Sequence, residues 1–388
     1  MKHIDLHTIT RPILHIIHTS ILLCLTILLP TACNSKSNTS HCNEQSITVK
    51  YAKGFTLSQG NGYRRIDIID PWDTTQLLST YLLIDRNDTT PSSLPKGEII
   101  RTPLSKSVIF SSVHCSLLNE LNALDAIAGI CDSEYNYVEA LQKRLTEGTL
   151  TDAGSSVTPD IERIIELSPD AILLSPFENT QNDRLIHTGI PIIECADYME
   201  TSPLGRAEWV RVFGWLYGCE TSADSLFSHV EQSYLSTCDL ISHTTTRPKV
   251  ITERRTGAVW YIPGGNSYMA TLLRDAGASY PWNDNQNTGS IPLSFENVFE
   301  RGQDADYWLI KYHAPADITY SDLQQEYTPY SSFKAFQQQQ IYGCNTQRLR
   351  YYEETPFHPE RLLQDLGAIF HPTLFENYIP YYFHPMPL

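Results

Sequence analysis

Two stretches of this chain repeat one pattern, and the repeat constrains the fold more than any other feature. Thr158-Pro-Asp-Ile-Glu162-Arg-Ile-Ile-Glu166 continues through Leu-Ser-Pro into Asp170-Ala171 and an apolar run. Leu293-Ser294-Phe-Glu296-Asn-Val-Phe-Glu300 continues through Arg-Gly-Gln into Asp304-Ala305 and then Asp-Tyr-Trp-Leu-Ile. Glu162, Glu166, Asp170 and Ala171 therefore correspond to Glu296, Glu300, Asp304 and Ala305, each pair 134 positions apart. Each unit reads as a cap, a short helix, an acidic turn and a buried strand. Thr158 and Ser294 can accept from the orphan N–H groups of the first turn, and Pro159 suits the first helical position. Ile161, Ile164 and Ile165 make a core stripe that turns Glu162 and Glu166 to solvent. A first-turn acid on its own only complements the helix dipole. The same exposed acid on two matching units suits a partner with two matching basic sites, such as a two-fold symmetric dimer.

The rest of the chain fits two such units. Strands are expected at 108–110, 126–130, 171–174 and 190–194, alternating with helices at 114–124 and 158–167. After Arg247-Pro248 the alternation restarts, with strands at 249–252, 259–262 and 307–311 and helices at 267–276 and 294–300. Such grammar predicts parallel sheets faced by helices. Between the halves, residues 223–241 contain neither Gly nor Pro and carry apolar residues at 226, 227, 230, 234, 235 and 241. That makes one helix of about 28 Å. The expected fold is α/β: two Rossmann-like lobes, 99–220 and 244–388, joined by a single helix at 221–243. Residues 47–98, with turns at Gly60-Asn61-Gly62 and Asp70-Pro71-Trp72-Asp73, read as a β-extension before the first lobe. With 44 acidic against 28 basic residues, the net charge of −16 disfavours nucleic acid as a partner.

The N-terminus reads as an export signal over 1–33. Lys2 and Arg11 precede the run Ile21 to Leu29, whose nine residues reach about 14 Å, half a bilayer core. Pro30-Thr31-Ala32-Cys33 resembles a bacterial lipobox with Cys33 as the lipid-bearing residue. Residues 34–46 form a polar stalk. Leaving out Cys24 in the signal and Cys33, seven cysteines remain, so at least one thiol is free, and no Cys-x-x-Cys pair occurs.

In its ordered phrases the sequence resembles the periplasmic binding proteins of vitamin B12 and ferric-siderophore ABC importers. These phrases are Val108-Ile-Phe-Ser-Ser-Val-His-Cys-Ser-Leu-Leu, Ala-Ile-Ala-Gly-Ile130, Asp160-Ile-Glu-Arg-Ile-Ile-Glu-Leu-Ser-Pro-Asp-Ala-Ile-Leu-Leu174 and Gly189-Ile-Pro-Ile-Ile193. Pro263-Gly-Gly-Asn-Ser-Tyr, Pro292-Leu-Ser-Phe-Glu296 and Leu362-Leu-Gln-Asp-Leu followed by Ile-Phe-His-Pro372 complete the set. The resemblance implies class III architecture, with a ligand cleft between lobes and two glutamates that dock on a dimeric permease. Those glutamates fall on Glu162 and Glu296, already selected by the repeat. It further implies a monomer, held to a bacterial membrane on the periplasmic side by lipid on Cys33. Its ligand would be an iron chelate (ferric siderophore or haem) or a corrinoid, with no resident cofactor or metal.

Cleft tryptophans of the vitamin B12 binder fall where this sequence reads Ser156, Ser175 and Ser290, so aromatic contacts must come from elsewhere. Loops at the C-terminal ends of strands are the places to look. They offer His114, Tyr135, Tyr137, Phe177 and Glu178 in the first lobe, and Arg254, Arg255, Trp260, Trp282, Tyr351 and Tyr352 in the second. Against an enzyme, the chain has no Gly-x-Ser-x-Gly, no Gly-Lys-Ser/Thr phosphate loop and no His-Glu-x-x-His. The competing readings are direct metal-ion binding, which the scattered histidines disfavour, and a surface-exposed binding lipoprotein uncoupled from transport.

Overall fold

A computed structural model describes residues 44–178 and 183–388. The signal segment, Cys33, Cys42 and the stalk up to residue 43 lie outside the described residues.

The chain opens on a five-stranded sheet in sequential order: β1 (Gln45–Ile47), β2 (Phe55–Gly60), β3 (Tyr63–Ile69), β4 (Leu77–Asp85) and β5 (Glu98–Thr102). β1 thus begins inside the segment read as stalk. The first four strands are antiparallel, and β5 returns parallel to β4 through the loop between them. Gly62, at φ 80°, closes the β2–β3 turn, where a side chain would be strained. Phe55, Leu57, Ile66, Ile68, Tyr81 and Leu83 face the main core, while Tyr63, Leu82 and Ile84 pack under Leu94 on the other face. Two buried carboxylates tie the sheet down. Glu208 accepts from the backbone N–H groups of Lys50, Tyr51 and Ala52 at 2.8, 2.7 and 3.0 Å. Glu200 accepts from those of Lys53 and Gly54 at 2.8 and 2.7 Å and from the Trp209 indole at 3.1 Å.

In the first lobe, β6 (Ser107–Ile109), β7 (Ile127–Ile130), β8 (Thr151–Asp152), β9 (Ala171–Leu174) and β10 (Ile192–Glu194) form an all-parallel sheet in the order β10-β9-β6-β7-β8. The central strands β6, β7 and β9 are nearly uniformly apolar because helices cover both faces. The second lobe departs from the expectation of one parallel sheet. β11 (Val250–Thr252) is followed by β12 (Arg255–Thr256), β13 (Val259–Pro263) and β14 (Ser290–Leu293), which form a separate antiparallel sheet. Gly257, at φ 62°, folds β12 back on β13 and takes both away from β11. The parallel core is β11 with β15 (Tyr307–Tyr312) and β16 (Ile341–Asn345), edged by antiparallel β17 (His384–Pro385). Trp260 stacks on Trp308 with ring centroids 5.5 Å apart, so the two sheets share one aromatic core with Tyr330 and Phe333.

The lobes are joined by the 23-residue helix Glu220–Ser242, about 34 Å long. Its buried stripe is Ala223, Phe227, Val230, Tyr234, Thr237 and Ile241. Leu235 belongs to the expected stripe but is exposed, because the spacing of four and three residues carries the contact past it. Two corrections concern the first repeat unit. Its helix is Ile161–Leu167, with Asp160 rather than Thr158 as the cap, accepting from the Arg163 N–H at 3.2 Å. Pro159 therefore precedes the cap, and the stripe rests on Ile164, leaving Ile165 half exposed. The second unit, Phe295–Gly302, is capped by Ser294 as its sequence suggests. The six described cysteines are all free, and burial pushes the Cys115 and Cys344 thiols up to about 12.

Candidate ligand-binding cleft

The first lobe's strands end on one rim. Beyond β6 lie Phe110 and Ser111, the latter just before the helix Ser112–Glu120, with no hydrogen bond from its side chain to the helix end. Beyond β7 the chain turns through Asp132, in the left-handed region at φ 48°, into the short turn Ser133–Tyr135. Beyond β9 come Ser175 and Phe177. These residues, with Ser156, line a cavity of about 290 Å³. Ser112 and Tyr135 also belong to an adjoining cavity of about 490 Å³ that is closed on its far side by the second lobe. Tyr137 joins them from the first lobe. Glu253, Lys311, Tyr312, His313, Thr346, Tyr352 and Glu353 complete it from the second.

Position in the strands explains the second lobe's contribution. Lys311 and Tyr312 end β15, Thr346 follows β16, and Glu253 follows β11. Glu253 adopts φ 63°, rare for a side chain of its size. It is held there by its N–H donating to the Leu309 carbonyl at 2.8 Å and its carbonyl accepting from the Trp308 indole at 2.7 Å. That turn presents the Glu253 carboxylate to the Lys311 ammonium, and the two form an ion pair. Burial works against the Lys311 charge, but the carboxylate outweighs it and holds the amine above its ordinary value. Lys311 also lies over the Tyr351 ring, 5.5 Å from its centroid. Glu353 is only 9% exposed, and burial pushes its carboxyl above the usual range.

The lobes are bound together beside this cavity. His358, buried in the second lobe, meets Glu120 of the first through Nε2 at 2.7 Å and Glu360 of its own lobe through Nδ1 at 2.9 Å. Burial opposes its proton, yet the two carboxylates prevail and raise the imidazole to about 9. His114 Nε2 lies 2.9 Å from Asp197, whose other oxygen accepts from Arg206 at 3.3 Å. Arg206 in turn lies over the Tyr268 ring, and the Tyr268 hydroxyl donates to the Thr355 carbonyl at 2.8 Å.

Of the residues expected in the cleft, Tyr135, Tyr137 and Tyr352 line the interlobe cavity and Phe177 lines its neighbour. Glu178 is exposed beside Phe177 and lines neither. The others lie elsewhere. His114 is 1% exposed and committed to Asp197. Arg254 pairs with Glu326, and Arg255 lies 4.0 Å over the Tyr327 ring. Trp260 sits between the two sheets of the second lobe. Trp282 is buried against Tyr280, and Tyr351 packs edge-on against Tyr382 and Phe383. Sequence reasoning missed Glu253, Lys311, His313 and Glu353. The strand-end rule that selected Arg254 would have reached Glu253 one residue earlier, and it applies equally to the end of β15. Among the described residues, no three His, Cys, Asp or Glu side chains are grouped to hold a metal ion.

Away from the cavity, Glu162 and Glu296 each occupy the first turn of their helix and are exposed. The Glu296 carboxyl is held below its usual range by its own backbone N–H and the Ser294 hydroxyl.

Residues 108–347 match the family model described as periplasmic binding protein. An uncharacterized lipoprotein of Methanocaldococcus jannaschii is 28% identical over 373 residues, covering 88% of this chain and 86% of that protein. Among solved structures, the TroA-like periplasmic binding protein FepB of Veillonella parvula aligns with a TM-score of 0.56 and 17% identity, over 74% of this chain and 96% of that one. An ABC-type Fe3+-hydroxamate transport system protein of Saccharomonospora viridis aligns with a TM-score of 0.54 and 17% identity, over 69% and 94%. At those identities the likeness to the solved structures is one of fold.

Proposed function

The chain belongs to the periplasmic binding protein family, and from that premise we propose that it is the substrate-binding component of an ABC importer. In this reading the interlobe cleft captures an iron chelate (ferric siderophore or haem) or a corrinoid. The loaded protein then delivers it to a dimeric permease through Glu162 and Glu296, while lipid on Cys33 keeps it at the membrane. The observation that carries the reading is the cavity of about 490 Å³ walled by both lobes, within the range of small-molecule sites. Its tyrosine-rich lining suits a bulky, partly apolar ligand with polar edges. The docking role is supported by two exposed first-turn glutamates at equivalent positions of the repeat, and the anchor by the lipoprotein relative.

A thermal-shift panel of ferric siderophores, haem, cobalamin and cobinamide tests it. A ligand at 100 times its dissociation constant adds about 2.7 kcal/mol to stability. One class should shift the transition, and Tyr135→Ala and Tyr352→Ala should diminish the shift. No shift across the panel, or a shift indifferent to both variants, would remove the cleft from the proposal.

A further inference from the structure

We propose that the ligand of this cleft carries a positively charged nitrogen, an ammonium or guanidinium group, that docks on Glu353. The inference rests on the reading of the interlobe cavity as the ligand site. Glu353 lies in the short helical turn Tyr351–Glu354 and is nine-tenths buried. It nevertheless lines the interlobe cavity on one side and a smaller space of about 230 Å³ on the other. Apart from its own backbone N–H, no described group donates to its carboxylate, and Arg350 acts on it only from a distance. The carboxylate is not sealed from water: it opens to the cavity, and a ligand that displaced that water would have to supply a partner for it.

The neighbouring acids each have a partner, although the second oxygen of Glu360 is buried without one and lines neither cavity. Glu253 has Lys311, and Glu120 and Glu360 share His358. Glu354 accepts from the Tyr382 hydroxyl at 3.1 Å, and Asp132 accepts from the Ser156 N–H at 3.0 Å. Among these acids, Glu353 is the one that combines the lack of a described side-chain partner with a place on the wall of the interlobe cavity.

Two further observations set the sign of the missing partner. The walls of the two adjoining cavities carry three carboxylates, Asp132, Glu253 and Glu353, against the ammonium of Lys311 and the imidazole of His313, while Arg350 and Arg361 line the smaller space behind Glu353. Arg254 and Arg255, the basic residues nearest in sequence to Glu253, are engaged by Glu326 and Tyr327 and line neither cavity. An anionic ligand would meet an uncompensated negative wall; a cationic group would complete it. Tyr135, Tyr137, Tyr312 and Tyr352 line the same space, and their ring faces attract cations.

The test uses two ferric linear trihydroxamate chelates of equal size, one with a free terminal ammonium and one with that nitrogen acetylated. Wild-type protein should bind the ammonium form at least ten-fold more tightly by calorimetry. Glu353→Gln, which preserves shape, should bring the ratio to near one. Equal binding of the two by the wild type, a ratio unchanged by Glu353→Gln, or binding of neither chelate would overturn the assignment. In any of those events, a thermal shift by haem or an anionic tris-catecholate chelate that Tyr352→Ala abolishes would leave the cleft reading standing. Absence of every shift would remove both.

Discussion

His358 should make the union of the two lobes depend on pH. It carries its proton between Glu120 of the first lobe and Glu360 of the second, with its side chain 5% exposed. Its value is raised from 6.5 in the unfolded chain to about 9 in the fold. Because the folded value is the higher, the stabilisation is fully present below about pH 6.5 and is lost as pH rises through 9. At about 1.4 kcal/mol for each unit, the difference is worth about 3 kcal/mol. Glu120 is 39% exposed, so solvent screening trims its share and brings the expected effect to about 2 kcal/mol. Urea unfolding of wild type and His358→Asn should be compared at pH 6 and pH 9.5. Taking the difference between the two proteins cancels the many other groups that titrate in this range. The variant should be less stable by about 2 kcal/mol or more at pH 6, with most of that deficit gone at pH 9.5. A deficit that stays constant across this range would show that the imidazole acts by packing alone, and the charged bridge would have to be abandoned.

Glu162→Ala combined with Glu296→Ala should leave ligand affinity unchanged and abolish transport in a cell-based uptake assay; normal uptake would end their docking role. Glu208→Ala should destabilise the protein by about 3 kcal/mol, since three backbone N–H groups lose their shared acceptor. Hydrogen exchange should locate the loosening at Lys50 to Ala52. Trp260→Ala should cost about 3–5 kcal/mol, read by denaturant midpoint. Tyr352→Ala, at a side chain 55% exposed, should move that midpoint by under about 0.5 kcal/mol and act on binding instead.

The frame of the molecule was legible because it is written in periodic patterns. The apolar runs of β6, β7 and β9 and the Gly- and Pro-free stretch around Glu220–Ser242 give strand and helix with little competition. Where one residue decides the path, the pattern misled. Gly257 redirects β12 and β13 into a sheet of their own, and so Trp260 turns from a cleft candidate into the centre of an aromatic core. The site was less legible than the frame for a related reason. Tyrosine and arginine attract notice as binding residues, but whether an arginine is free depends on partners distant in sequence. Arg254 meets Glu326, 72 residues on, and no local pattern announces it. His114 has the same history with Asp197, 83 residues away.

The attachments beside the cavity bear on how a ligand can be captured. A continuous helix without Gly or Pro bends poorly, and Glu220–Ser242 crosses from one lobe to the other. The Glu120–His358–Glu360 bridge and the Arg206–Tyr268 contact hold the lobes at two further points. Opening the cleft widely would break this partly buried charged bridge, so in the proposed reading recognition works largely with the cavity as it stands. A preformed site spends little binding energy on reorganisation, and selection then falls on fixed chemistry at its wall. In the proposed reading, the discriminating power falls on the groups held most firmly: the Lys311–Glu253 pair, braced by Trp308, and Glu353 in its short turn. Tyr135 and Tyr352, exposed at the cavity, are free to adapt to the bulk of whatever enters. Substitutions in the first set should therefore change which ligand binds, and substitutions in the second should weaken all ligands alike, a division that parallel titrations of several chelates would expose directly.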